Sequence, residues 1–401
     1  MKKLIIFLVF CLSIFYTFSQ STFSMEEVVR YLASPELEGR KMHSKGDTLA
    51  IQFLVNQFEN MEIKPFFNDY EQPLCTRFTL MGKKNEICSK NVIAFVEGSD
   101  KNMKEQYILV CAHFDHLGTT QGAYFPGAND NASGTATVLY LANHFAQNPI
   151  KKSIIFACFA GEESGMLGSN HFITASPELL QKINYVVNFD MVGRYDQGGL
   201  CLIGEESSNV LKQTVKKLSK RERVGIKGSA SLFLQGSDHY VFYKKNIPFL
   251  CFNTGTDRGN YHRPKDHADS IDYKGMKIVA DFAKQVIEEL GSNSKKPKFK
   301  KIGQKKAEID NSEILDIIFA NPNKFGFVYN FGIDCGNEIT IFKTTPKGAE
   351  AGLLAGDKVI KINGKTFSCM MDFFDIAKTE KEKPYRISIL RNGEEMEILV
   401  Y

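Results

Sequence analysis

The sequence predicts an α/β fold, a twisted and largely parallel sheet with helices on both faces. Three observations carry this. Short apolar runs rich in Ile, Val and Phe recur at 107–112, 153–159, 185–189 and 247–252. Helical patterns at 135–145, 208–218 and 274–290 alternate with them. That alternation is the signature of strands joined through helices. Finally, His113, the pair Glu162-Glu163, and Asp190 stand just beyond the ends of three of those runs. Ligands of open α/β sheets bind in the crevice beyond the carboxyl ends of the strands.

Taken in order, residues 1–19 read as a secretory signal peptide. Lys2 and Lys3 form a basic start, 4–15 is apolar, and Thr17-Phe18-Ser19 offers small residues for cleavage. The apolar run is shorter than the roughly 20 residues that a span needs. Cys11 follows Phe10, which is too bulky for lipoprotein cleavage. The mature chain is expected to begin near Gln20, to be exported to the periplasm or secreted, and to hold no stable membrane span. A length of 401 residues suits two domains, and 43% hydrophobic residues suffice for a core. The net charge of +4 is small and dispersed, which argues against a nucleic-acid partner.

Ser24-Met25-Glu26-Glu27 is a capping box opening a helix to Leu32. Residues 47–60 form a second amphipathic helix with Leu49, Phe53, Leu54 and Phe58 on its apolar face. Strands follow at 78–81 and 91–96. Cys111, Cys158 and Cys251 lie in strand-like runs and read as buried free thiols. Cys75 and Cys88 flank a polar-tipped segment, and export permits a disulfide between them.

The chemistry centres on Gly127-Ala-Asn-Asp-Asn-Ala-Ser-Gly134, where Asp130 sits among small residues before a helical run. Small residues let backbone approach a cofactor closely, and Asp130 is expected to bridge two metal ions. His113 and Asp115 are two apart, so an extended backbone points both to one face. A ligating imidazole needs a partner for its second nitrogen, and the turn decides whether Asp115 reaches it. His116 would point away and reads as structural. Glu162 and Glu163 face different ways in an extended backbone, so one can ligate metal while the other serves as general base. A further nitrogen ligand is expected from Asn260-Tyr261-His262; His262 is preferred over His239 and His267. Asp266 and Asp269 fit that loop's hydrogen bonding.

His-x-Asp, Gly-Ala-x-Asp-Asn-Ala-Ser-Gly, Gly-Glu-Glu, Asn-Phe-Asp-Met and Tyr-His occur here in that order. Over about residues 24–290 the chain resembles the exported co-catalytic di-zinc aminopeptidases of clan MH, and the sheet is then of zinc-exopeptidase type. The resemblance implies two Zn2+ per chain: one held by His113 and Asp190, one by Glu163 and His262, with Asp130 bridging. It implies Glu162 as general base, Asp115 orienting His113, and a cis peptide between Asp130 and Asn131. Met191 and Tyr261 would line the substrate side-chain pocket, and Ser237-Asp238-His239 resembles a segment near it. The expected activity is removal of N-terminal residues from peptide substrates. Glutaminyl cyclases share the fold and most of these motifs but use a single zinc; Asp-Asn-Ala-Ser-Gly and Asn-Phe-Asp-Met favour the peptidases.

The domain expected at 20–291 is followed by a basic, polar linker at 292–307 and a second domain at 308–401. Short strands fit 325–330, 338–343, 358–362, 385–390 and 396–401. The stretch from Ala349 to Asp357, followed by Val359 to Gly364, resembles a PDZ domain, small and rich in β structure. In that resemblance Phe325, Gly326 and Phe327 belong to a loop that holds a peptide carboxylate. Phe373, Phe374 and Ile376 would wall the groove, and a peptide or protein C-terminus would add as a strand.

Overall fold

The computed structural model describes residues 23–80, 83–120, 123–226, 236–255, 260–294, 296–302, 325, 327–329, 339–366, 376, 379–380 and 383–401. The segment 1–19, residues 303–307 of the expected linker, Met81, Gly326, Asn330, Phe373 and Phe374 lie outside them.

Four strands form the parallel centre of the first sheet: Ser153–Phe159, Tyr107–His113, Ile183–Phe189 and Phe249–Asn253, in that spatial order. Antiparallel strands flank them, Lys83–Val96 on one side and Cys201–Ile203 on the other. Every residue of Tyr107–His113, Ser153–Phe159 and Ile183–Phe189 is buried. Successive side chains enter opposite layers. Ile108, Val110 and Ala112 join the cluster under helices Met25–Leu32, Gly134–Gln147 and Tyr273–Ser292. Leu109 and Cys111 join the other, with Phe172 of helix Leu167–Ala175 and Phe242. Covered faces explain why these strands read as unbroken apolar runs.

Several elements differ from expectation. The strand expected at 78–81 is Glu71–Leu80, half of a long hairpin with Lys83–Val96. Cys75 stands directly opposite Cys88 in that register, and the two are bridged. The helix expected from Asp47 spans Lys45–Asn60, capped by Ser44 Oγ. Its core face is Ala50, Ile51, Leu54 and Phe58, while Leu49 and Phe53 sit at the margin. The helix expected at 208–218 is Asn209–Glu222, with Ser208 as its cap.

Part of the basic segment lies against this first body. Lys300 N donates to the Ser207 carbonyl at 2.8 Å, and Ile302 is buried in the same cluster as Phe242. The C-terminal body is a six-stranded antiparallel sheet, ordered Phe327–Tyr329, Ile339–Thr344, Lys358–Ile362, Tyr385–Arg391, Glu394–Val400, with Lys365–Thr366 beside Lys358–Ile362. Phe325 is buried edge-on against Tyr385. Its core is continuous with Leu117 and Phe125 of the first body, and Tyr261 packs on the same cluster.

Candidate metal centre

The site lies at the carboxyl ends of the parallel strands. His113 is the last residue of its strand, Glu162 and Glu163 follow Phe159, and Asp190 follows Phe189. Asp130 enters from the loop before helix Gly134–Gln147, and the Asp130–Asn131 peptide is cis.

That loop is held from all sides. The Asp266 carboxylate accepts the Asn129 amide at 3.0 Å and the Asp130 amide at 3.1 Å. Asn131 Nδ2 donates to the Phe189 carbonyl at 2.9 Å, and Asn131 Oδ1 accepts the Gly134 and Met191 amides. Beneath it Arg40 is fully buried. Its guanidinium donates to the carbonyls of Phe114 at 2.5 Å, Pro126, and Gly127 at 2.6 Å. Burial lowers the Arg40 pKa to about 10.

The two oxygens of Asp130 serve two groups. Oδ1 lies 3.5 Å from His113 Nε2, which is also 3.7 Å from Asp190 Oδ1. Oδ2 lies 3.1 Å from His262 Nε2, which is 3.4 Å from Glu163 Oε2. Donors bonded to one tetrahedral ion at about 2.0–2.2 Å stand roughly 3.3–3.6 Å apart, so these spacings suit shared metal ions. Asp190 Oδ1 is buried and has no hydrogen-bond partner, as a ligand atom would be left. Nitrogen and carboxylate donors in this mixture fit zinc. The structure thus brings together all five residues expected to ligate.

The adjacent glutamates are electrostatically opposite. Burial pushes the Glu162 carboxyl well above the usual range; His113 opposes this, and the carboxylates of Glu163, Asp238 and Asp190 reinforce it. Burial acts on Glu163 in the same direction, yet His262 and His116 hold it well below that range. One carboxyl is suited to carry a proton and the other to stay anionic, a divergence that separates acid–base groups from ligands.

Asp115 acts differently from the expected orientation of His113 by its side chain. Its backbone carbonyl lies 3.2 Å from His113 Nδ1, whereas its carboxylate is 3.7 Å away, too long for a hydrogen bond. The carboxylate instead accepts the amides of Glu162 at 3.0 Å and Glu163 at 3.3 Å. His116 also departs from expectation. The strand ends at His113, so alternation no longer governs, and His116 turns inward. Its Nδ1 lies 2.8 Å from Glu163 Oε1.

Of the competing histidines, His239 stacks on Phe249 at 4.8 Å and His267 stands edge-on to Tyr124, while His262 contacts the carboxylates of Asp130 and Glu163. Asp269 pairs with Arg30, outside the site. Tyr261 stacks on His262 with centroids 3.9 Å apart, and Met191 is partly exposed beside Asp190. Asp238 is buried and accepts from Ser169 Oγ at 2.5 Å. Arg40 and His116 carried no signal in the sequence, because their roles arise only from tertiary contacts.

Comparison with known proteins agrees with this geometry. Residues 91–287 match the model of peptidase family M28. Aminopeptidase YwaD of Bacillus subtilis is 31% identical over 221 residues, 52% of this chain and 46% of that protein. Leucine aminopeptidase 2 of Trichophyton rubrum is 29% identical over 177 residues, 42% of this chain and 34% of that protein. The chain thus spans less than half the length of these curated relatives. The zinc aminopeptidase BSAP of Bacillus subtilis superposes with a TM-score of 0.54 at 16% identity, covering 70% of this chain and 98% of that one. Porphyromonas gingivalis glutaminyl cyclase superposes with a TM-score of 0.53 at 17% identity, covering 67% and 99%. At these identities the likeness is one of fold.

Proposed function

From the match of residues 91–287 to the model of peptidase family M28, we propose that the chain is a zinc-dependent aminopeptidase of that family acting on peptide N-termini. The observation that carries this reading is Asp130, whose two oxygens face separate groups, His113 with Asp190 and His262 with Glu163. In this reading His113, Asp130 and Asp190 would hold one Zn2+, and Asp130, Glu163 and His262 would hold the other. Bound there, the ions would supply Lewis acidity that lowers the pKa of water and polarises a peptide carbonyl. Glu162 takes the proton of the attacking water and passes it to the leaving amine. Asp115 holds the Glu162 and Glu163 amides, so the base and the ligand keep fixed positions. Met191 and Tyr261 border the substrate side chain, which favours an apolar residue.

A glutaminyl cyclase is the second reading, favoured by the fold it shares with the Porphyromonas gingivalis enzyme. It needs one zinc, whereas His113 stands within reach of both Asp130 and Asp190, as a second site requires. The chain is exported in our reading. The Cys75–Cys88 bridge suits an oxidising compartment, and no helix among the described residues is long and apolar enough to cross a membrane. The C-terminal body is read as a PDZ-like module taking a peptide or protein C-terminus.

The test is hydrolysis of a panel of aminoacyl-amides and cyclisation of glutaminyl peptides, each with and without chelator. Chelator-sensitive release of amines supports the peptidase. Cyclisation without hydrolysis would establish the cyclase.

A further inference from the structure

We propose that His116 is a positioning residue that commits one oxygen of Glu163 to a hydrogen bond, leaving the other as the atom that holds the second metal. This rests on the two-metal reading above. His116 lies among the donors of the second candidate site, with Asp130 and Glu163, but its spacing differs from that of the ligating set. Those donors stand 3.1–3.7 Å from one another. His116 Nδ1 is 2.8 Å from Glu163 Oε1, the length of a charge-assisted hydrogen bond, and 4.0 Å from Asp130 Oδ2. A carboxylate only accepts, so Nδ1 carries the proton. Glu163 Oε2 is thereby left facing His262 Nε2.

The ring is built into the metal loop. A Cβ on Gly127 would stand 2.2 Å from the Asp130 carbonyl oxygen and 2.5 Å from the Cδ2 and Cγ atoms of His116. Gly127 also has φ of +55°, a conformation that glycine adopts without penalty. The glycine opening the loop therefore makes room for both the Asp130 carbonyl and this imidazole. His116 is fully buried, and its Nε2 has no hydrogen-bond partner. The ring makes one directed bond, and that bond goes to Glu163. The consequence reaches the neighbouring base. Glu162 and Glu163 are adjacent and chemically alike, and His116 contacts only the second. It breaks the symmetry of the pair, fixing which glutamate ligates and which remains free for proton transfer.

The experiment compares His116→Leu, which fills space without a donor, with His116→Asn, whose amide nitrogen stands where Nδ1 does. Full-length protein is titrated with zinc in chelator buffers, and the melting temperature of the metal-free protein is measured alongside. His116→Leu should weaken one of two sites by roughly 10–100-fold, the range for loss of a ligand's supporting partner, and leave the other unchanged. His116→Asn should recover most of that affinity, with melting temperatures of the metal-free variants alike. Equal weakening of both sites, equal effects of Leu and Asn, or no effect would overturn the assignment. If His116→Leu does not fold, His116→Gln replaces it; its amide sits at the Nε2 position, out of reach of Glu163, and the same selective loss is expected. Wild-type saturation at one ion per chain would overturn the two-metal reading and this assignment with it. Two wild-type ions with an unselective variant would overturn this assignment alone.

Discussion

Glu162 and Glu163 share a backbone turn, yet burial raises one carboxyl while His262 and His116 lower the other. The proposed roles give a crossed prediction. Glu162→Gln keeps size and removes proton acceptance, so turnover should fall by about 10²–10⁴-fold while zinc content holds. Glu163→Gln should instead lose zinc from one site first. The reverse pattern in metal analysis would show the two roles exchanged. A second prediction concerns Lys152, fully buried with no hydrogen-bond partner, its Nζ 5.5 Å from the Tyr185 ring centre. Burial lowers its pKa from 10.5 to about 8. Between those values the unfolded chain binds the extra proton, so stability gains as pH rises from 8 toward 10.5, by at most about 1.4 kcal/mol per pH unit. Denaturant unfolding of wild type and Lys152→Met across that range should show their difference shrinking as pH rises. A constant difference would place the charge outside the low-dielectric core.

The metal loop shows what can be read from sequence at the scale of an element and what cannot. Its small residues and the helix after it were legible, because local composition specifies both. The central strands were legible for the same reason, being apolar on both faces. The hairpin from Glu71 to Val96 was mostly missed. Lys83, Lys84, Asn85 and Glu86 break any apolar pattern, and what places them in a strand is cross-strand pairing with residues 77–80. Asp115 was legible as a residue, but the partners of its carboxylate were not, since they are amides 47 and 48 positions away. Arg40, 90 residues before Asp130, left no local trace. Asp266 offers the sharpest test of the loop. Asp266→Ala leaves the buried Asn129 and Asp130 amides without their acceptor. An unmet buried donor costs about 1–3 kcal/mol, so unfolding free energy should fall by at least about 2 kcal/mol. Zinc affinity should fall with it. Unchanged stability would mean the loop holds its shape without this brace.

Across the whole molecule, the C-terminal body shares an apolar cluster with Leu117, Phe125 and Tyr261, and Tyr261 stacks on His262. Residues 296–302 pack on the first body through Ile302 and Phe299, so a stable cut falls after Ile302 rather than near Gly291. The five proposed metal ligands, Glu162 and Asp115 all precede it. A chain ending at 302 should fold and load metal, while baring Tyr261 should raise KM for aminoacyl-amides more than it lowers kcat. An unchanged KM would show that the shared cluster has no bearing on substrate. The central claim is that Asp130 bridges two ions. Its most direct measurement is a crystal structure of the zinc-saturated protein with anomalous data at the zinc edge. The account predicts two peaks about 3.5–4 Å apart, one against His113 and Asp190, the other against Glu163 and His262, with Asp130 between them. A single peak, with Asp190 bound to no metal, would contradict it.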